Sequence, residues 1–299
     1  YISTDEKRSN DKRTITVDTY VLHNLALEAA RATPRLGEPD EERTLAVRVT
    51  NPGDVTLTRD VRALVFEGDE ELWDGDTQEV TLAPGENETL EWDWTSDEYG
   101  TFTFRAELEQ TDEDASDDVA EGELRAVDIE FRDSFESGRN GWSDYRPTSN
   151  AWHLVDNSTD TNREANSPTH SLWIGDETKG DGEYRDNWDY SVYTADEISL
   201  GGDGELVIQH WYSTESSWDG GNVQLTTDDG ESWTIIHPEG GYPDDAIVAL
   251  DNEPGFTASS NGWQQATFNL ANFSGEDVRF RFRFGTDGSV NTYEGWYLD

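Results

Sequence analysis

An all-β fold in two consecutive sandwich-sized bodies is what the sequence predicts, on three observations. Short segments alternate apolar with polar residues, turn formers (Gly, Asp, Asn, Pro) interrupt them every roughly 8 to 14 residues, and helix signals are scarce. At 299 residues the chain is long enough for two domains that each bury a core. We divide it into an extended N-terminal segment (1–21), a first β-sandwich (22–127) and a second all-β body (128–299).

The elements follow in order. RTITVDTYVL (13–22) alternates ahead of the first domain. YVLHNLALEAARA (20–32) has mixed helical spacing and is the helix candidate, stopped by Pro34 and Gly37. RTLAVRVTN (43–51), RDVRALVFEG (59–68), QEVTL (78–82), ETLEWDWT (88–95) and GTFTFRAELE (100–109) each place apolar residues on one face, and together they read as a sandwich of about seven strands. Asp74-Gly75 signals a hairpin. The acidic run TDEDASDDVAEGE (111–123) reads as a solvated hairpin loop before a last strand in ELRAVDIEF.

The series VRVTNPGDVTLTRDVRALVF, VTLAPGENETLEWDW and GTFTFRAELE resembles the cell-adhesion-related (CARDB-like) immunoglobulin-like domains of bacterial and archaeal surface proteins. The resemblance implies an immunoglobulin-like β-sandwich over 22–127, with Asn51-Pro52-Gly53 as an early turn. It implies a spacer or adhesion role and carries no catalytic residue.

From Asp133 the pieces DSFESGRNGWS, SPTHSLWIGD, ELVIQHWYSTESSWDGGNVQLTTDDGESWTII, NGWQQATFNLANFSG, VRFRFRFGTDGS and EGWYLD follow one another. In that order they resemble the MAM-like jelly roll of secreted immune-inhibitor-type peptidases and haloarchaeal surface proteins. The resemblance spans 129–299. Within it, residues 226–233 fit T-x-D-x-G-x-S-W, the Asp-box hairpin of sialidase-type propellers. A propeller repeats its blade, and here the pattern occurs once, so it reads as a structural turn. Asp229 and Gly230 then take the positive φ, Asp228 bonds the turn, and Trp233 packs over it.

The formal net charge is -45, from 66 acidic residues, while 12 Trp, 11 Tyr and 11 Phe supply the burial that a disordered chain lacks. Lys7, Lys12 and Lys179 are the only lysines. Such a surface resembles that of halophilic proteins, which work in molar salt where the screening length is about 3 Å. Charge of this sign disfavours nucleic acid and anionic membranes as partners. No apolar stretch of membrane-spanning length is present, so no membrane insertion is expected within the chain. The cluster Lys7, Arg8, Lys12, Arg13 leaves two readings open, the flank of a removed leader or anchor and a solvated tail. With no Cys there is neither a disulfide framework nor a thiolate metal site.

Catalytic spacings are absent: none of His23, His153, His170, His210 and His237 forms H-x-x-x-H or H-E-x-x-H, and no G-x-S-x-G or Walker pattern occurs. We expect no enzyme. Glu215 and Asp219, set among Trp211, Tyr212 and Trp218, are the best carboxylate pair for glycoside hydrolysis, with loop hydration or metal binding as alternatives. The MAM-like resemblance implies a structural calcium near Glu136 and Asp299, with Asp133 adjacent and Ser134 standing where the family often has Asp. A second candidate loop places Asp156, Ser158, Asp160 and Asn162 at alternate positions, but Thr161 replaces the glycine an EF-hand needs.

VRFRFRF puts Phe280, Phe282 and Phe284 on one face and Arg279, Arg281 and Arg283 on the other. Arg281 is therefore a candidate for an anionic glycan or an acidic neighbour, and pairing with the chain's own carboxylates is the alternative. Trp188, Tyr190 and Tyr193, with Trp218 and Tyr242, could form a sugar-stacking platform, although such residues are more often core or loop anchors. Asn87, Asn157 and Asn272 are glycosylation sequons that fit an exported protein. The last strand, GWYLD, stops at Asp299, which suggests an open sheet edge for strand addition by a neighbour's N-terminal segment, or a chain continuing further. Together these expectations describe an extracellular, non-enzymatic cell-surface or filament-forming adhesion protein of a halophile, associating with itself or other surface proteins. The alternative is a glycan-binding accessory region of a secreted hydrolase or peptidase.

Overall fold

The computed structural model describes residues 21–145, 151–159, 163–179, 183–202 and 204–299. The chain separates into two units, 1–129 and 130–299, a boundary two residues beyond the expected one.

Unit 1 contains β1 (Ala26–Thr33), β2 (Leu36–Gly37), β3 (Arg43–Thr50), β4 (Leu57–Glu67), β5 (Glu70–Asp74), β6 (Gln78–Leu82), β7 (Asn87–Trp94), β8 (Gly100–Leu108) and β9 (Val119–Ala126). Two sheets form, β1-β3-β7 and β2-β9-β8-β4-β5, with β6 also on β4. Alternation places Leu45, Val47 and Val49 of β3, Leu90, Trp92 and Trp94 of β7 and Phe102, Phe104 and Ala106 of β8 in one shared core. Trp94 meets Phe102 edge-on at 5.1 Å, and each such buried side chain contributes about 1.5–3 kcal/mol.

Four expectations are corrected here. The helix candidate at 20–32 is strand β1 over its second half. A register shift between Glu28 and Arg31 and a positive φ of 52° at Ala29 break its alternation, and that produced the helix-like spacing. Among the described residues the unit has nine strands rather than about seven, because the long β4 pairs in succession with β5 and β6. The hairpin lies at Gly68-Asp69, with Gly68 at φ 57°, whereas Asp74 ends β5 opposite Leu64. The acidic run is not uniformly solvated, since Asp118 is only 3% exposed.

Asn51 explains the NPG turn. It is buried, its amide nitrogen donates to Val55 O (2.9 Å) and Leu82 O (2.7 Å), and its side-chain oxygen accepts from Gly53 N (2.9 Å). Its backbone joins the other corner too, through Asn51 N to Glu86 O and Gly85 N to Asn51 O.

Unit 2 contains β10 (Trp142–Asp144), β11 (Trp152–Asp156), β12 (His170–Ile174), β13 (Asp189–Thr194), β14 (Ile198–Ser199), β15 (Glu205–Ser213), β16 (Gly220–Thr226), β17 (Thr234–Ile235), β18 (Asp244–Ile247), β19 (Glu253–Gly255), β20 (Gln264–Asn269), β21 (Asp277–Gly285) and β22 (Gly295–Leu298). The sheets β10-β13-β21-β16-β17 and β11-β12-β22-β15-β20 enclose one core, and β18-β19 form a separate ribbon. Apart from the consecutive pairs β11-β12 and β16-β17, neighbours in these two sheets are distant in sequence, as in a jelly-roll sandwich. Phe280, Phe282 and Phe284 of β21 all point inward. Strand β22 is not an edge: it pairs with β12 on one side and β15 on the other, and Asp299 N donates to Gln209 O at 2.9 Å. The N-terminal residues 1–20, including Lys7, Arg8, Lys12 and Arg13, lie outside the described residues. Among the described residues no helix is long and apolar enough to cross a membrane.

Candidate functional site

The approach to β10, the loop before β12 and the end of β22 converge on Ser167. Its hydroxyl oxygen lies 3.0 Å from Ser134 O, 3.1 Å from Glu136 Oε1, 3.3 Å from His170 O and 3.0 Å from Asp299 Oδ2. A hydroxyl carries one proton. It cannot satisfy four acceptors at once; the two carboxylate oxygens are also met by amides, Glu136 Oε1 by Thr169 N and His170 N and Asp299 Oδ2 by Asn166 N and Ser167 N. The five converging oxygens are of the kind a hard cation takes, and the two carboxylate oxygens among them already accept amide hydrogens.

Electrostatics point the same way. Burial pushes the Glu136 carboxyl up, but the amides of Thr169 (2.9 Å) and His170 (2.6 Å), with both their side chains, outweigh it and hold it down at about 2. Glu136 is therefore ionised. Asp299 is pushed up, first by burial and also by the charge of Glu136, against hydrogen bonds from Ser167 and Asn166. Asp133 is engaged elsewhere: its oxygens accept from Phe135 N and Trp142 Nε1, both at 2.8 Å, and so fix the turn at Phe135. In the second candidate loop, Asp156 accepts from Ser158 N and Oγ, while Asp160 and Asn162 lie outside the described residues.

Asp219 of the carboxylate pair is fully buried. It accepts from Tyr184 Oη (2.8 Å) and Asp287 N (2.7 Å), and one oxygen each of Glu215, Asp219 and Asp287 lie within 4.8 Å of one another. Burial pushes Asp219 up to about 6 despite those two bonds, with the Asp287 and Glu215 charges adding to the rise. With Asp219 sealed in the core, the pair is not arranged as two carboxylates facing one substrate.

The arginine face of β21 is occupied by the chain's own groups. Arg279 pairs with Asp229 at 2.8 Å, and Arg283 with Asp189 and Asp251 at 2.9 Å each. Arg281 donates to Gln224 Oε1 and stacks on Trp233 at 4.3 Å and Tyr145 at 5.6 Å. The Asp-box turn holds Trp233 there: Asp228 accepts from Thr226 Oγ1 (2.6 Å), Ser232 N (2.9 Å) and Ser232 Oγ (2.6 Å), with Asp229 and Gly230 at positive φ.

The five aromatics of the expected platform part company. Tyr242 is in the core, its hydroxyl donating to Ile236 O. Trp188 and Tyr190 meet edge-on at 5.5 Å, half-buried against the core, and Tyr193 packs on Trp233. Trp218 alone of these five is prominently exposed, at 47%. Of the sequons, Asn87 and Asn272 are exposed and Asn157 is half-buried. His210 is buried and held low, at about 4, by desolvation, so it is a neutral strand residue. Sequence reasoning missed Ser167, Tyr184 and Asp287. No spacing marks them, because each meets its partners only through tertiary folding.

Two all-β sandwich units, the second a jelly roll closed by an oxygen-rich clamp, define a modular non-helical class. Residues 180–299 match the family described as Immune inhibitor A-like, MAM domain, so the second unit is MAM-like. No curated protein matches the chain. Among solved structures, a CARDB domain from Pyrococcus furiosus in complex with di-metal ions is 19% identical with a TM-score of 0.31, covering 36% of this chain and 97% of that one. A β-glucosidase from Erythrobacter marinus is 16% identical (TM-score 0.30, covering 35% of this chain and 15% of that one). A Listeria innocua β-glucosidase in complex with glucose is 14% identical (0.29, 42% and 20%). The chain thus spans a fifth or less of these two glucosidases, and likenesses this slight bear on neither activity nor ligand.

Proposed function

We propose that the chain is an exported, non-enzymatic structural or adhesion segment of a cell-surface or filament-forming protein from a salt-loving archaeon. On this reading the clamp at Glu136, Ser167 and Asp299 holds a calcium ion, the exposed sequons are open to glycosylation, and the chain's partners are copies of itself or other surface proteins. The observation that carries the reading is Asp219: the carboxylate pair best placed among aromatics has a member sealed in the core. The Arg281 guanidinium is likewise engaged by Gln224 and Trp233. A second reading, a glycan-binding accessory region, is favoured by the exposed ring of Trp218 alone.

Sizing the full chain in molar salt, beside a chain lacking residues 1–22, tests the first. Assembly of the full chain, lost in the shortened one, supports strand addition by the N-terminal segment. Monomers in both remove self-association. Retention on polysaccharide that disappears in Trp218→Ala would favour the second reading instead.

A further inference from the structure

The loop between β8 and β9 folds back over the start of β1. Asp117 O accepts from Leu27 N (2.9 Å), Asp118 O from Leu108 N (2.9 Å), and Asp112 Oδ2 from Leu25 N (2.7 Å). Asn24 Nδ2 donates to Asp117 Oδ2 (3.0 Å). These bonds leave four oxygens inside: both of Asp118, Oδ1 of Asp117 and Oδ1 of Asn24. All four are buried and none has a hydrogen-bond partner. Asp118 and Asn24 are each 3% exposed. Asp112, Asp117 and Asp118 each bring a carboxylate oxygen within 4.8 Å of the others.

Such an arrangement is costly as it stands. A buried carboxylate without donors loses its hydration and gains nothing in return, and here like charges stand beside it. Burial, with the Asp112 charge next, pushes Asp118 up. Asp117 is raised by burial against its bond from Asn24. The nearby cationic candidate, His23, faces Glu113 at 3.4 Å, and no described Arg or Lys forms an ion pair with the three aspartates.

We infer that Asn24, Asp112, Asp117 and Asp118 form a binding site for a hard divalent cation of calcium's size, tying the β8–β9 loop to the start of β1. Oxygen-only donors exclude the nitrogen and sulfur preferences of zinc and copper. Calcium takes 6–8 oxygens at about 2.3–2.6 Å in irregular geometry. Mixed carboxylate and amide oxygens, completed by water, match that demand better than the strict octahedron of magnesium. The site lies in unit 1 and is independent of the clamp in unit 2.

The test is calorimetric titration of the chelator-treated full chain with calcium chloride in high salt, beside thermal melts with calcium and with chelator. Wild type should bind calcium, and its melting midpoint should rise by about 5 °C or more. Asp118→Asn should lose one equivalent of calcium while melting no lower than wild type in chelator, since it removes a buried charge. Asp117→Asn serves as the second variant should the first misfold. Glu136→Gln should keep the equivalent that Asp118→Asn loses. Full stoichiometry in both aspartate variants overturns the inference, and magnesium binding as tightly as calcium overturns the choice of ion. If Glu136→Gln loses no equivalent but Asp118→Asn does, the clamp proposal fails and this one stands.

Discussion

Asp219 sits between Tyr184 and Asp287 with its charge disfavoured, and this sets a sign. Below about pH 4 a free aspartate is protonated, and the folded chain bears no penalty there. As pH rises through about 6 the folded chain must ionise the buried carboxyl, so the stability tied to Asp219 is present in acid and is lost above that value. Asp219→Asn should therefore gain on wild type in melting temperature between pH 4 and pH 7. A gap that does not change with pH would show that something else compensates the charge. Nothing local in YSTESSWDGG distinguishes Glu215 from Asp219. Which of them is buried depends on β16 turning inward beneath Tyr184. Asp118 escaped notice for a similar reason: in a run of acids, solvation is the ordinary state, and only the fold-back onto Leu25 and Leu27 removes it.

Strands with clean alternation were legible. β3, β7, β8 and β21 lie where their patterns put them, because the apolar face of each meets a core. β1 was not, since its bulge at Glu28–Arg31 cancels the period that would have identified it. The Asp-box turn was readable to the residue, as the side-chain bonds of Asp228 that shape it are all local. The NPG turn was readable as a turn, yet its tie to Leu82 was hidden by sequence distance. Replacing Asn51 by Ala removes three side-chain hydrogen bonds, two of them buried, and strands two carbonyls and the Gly53 amide. The expected loss is about 2–4 kcal/mol, read as a lower denaturant midpoint for the full chain. A loss under about 0.5 kcal/mol would mean that water replaces the amide.

With 66 acidic residues against 21 basic ones, the outer surface repels itself, and the buried sheets must hold against that repulsion. Screening shortens from about 10 Å at 0.1 M salt to about 3 Å at 1 M. The melting temperature should therefore climb by roughly 10 °C across that range, in potassium and sodium chloride alike. A flat response would remove the halophilic reading. The order of motifs along the chain announced the jelly roll, whereas the insertion of β22 between β12 and β15 is a long-range outcome that no segment reveals by itself. The Ser167 knot adds a mechanical consequence. Because Glu136 and Asp299 are fastened to one Ser167 hydroxyl, tension entering near the first and leaving near the second would load that hydrogen-bonded latch together with the flanking pairs of β22 before it reached the intervening strands.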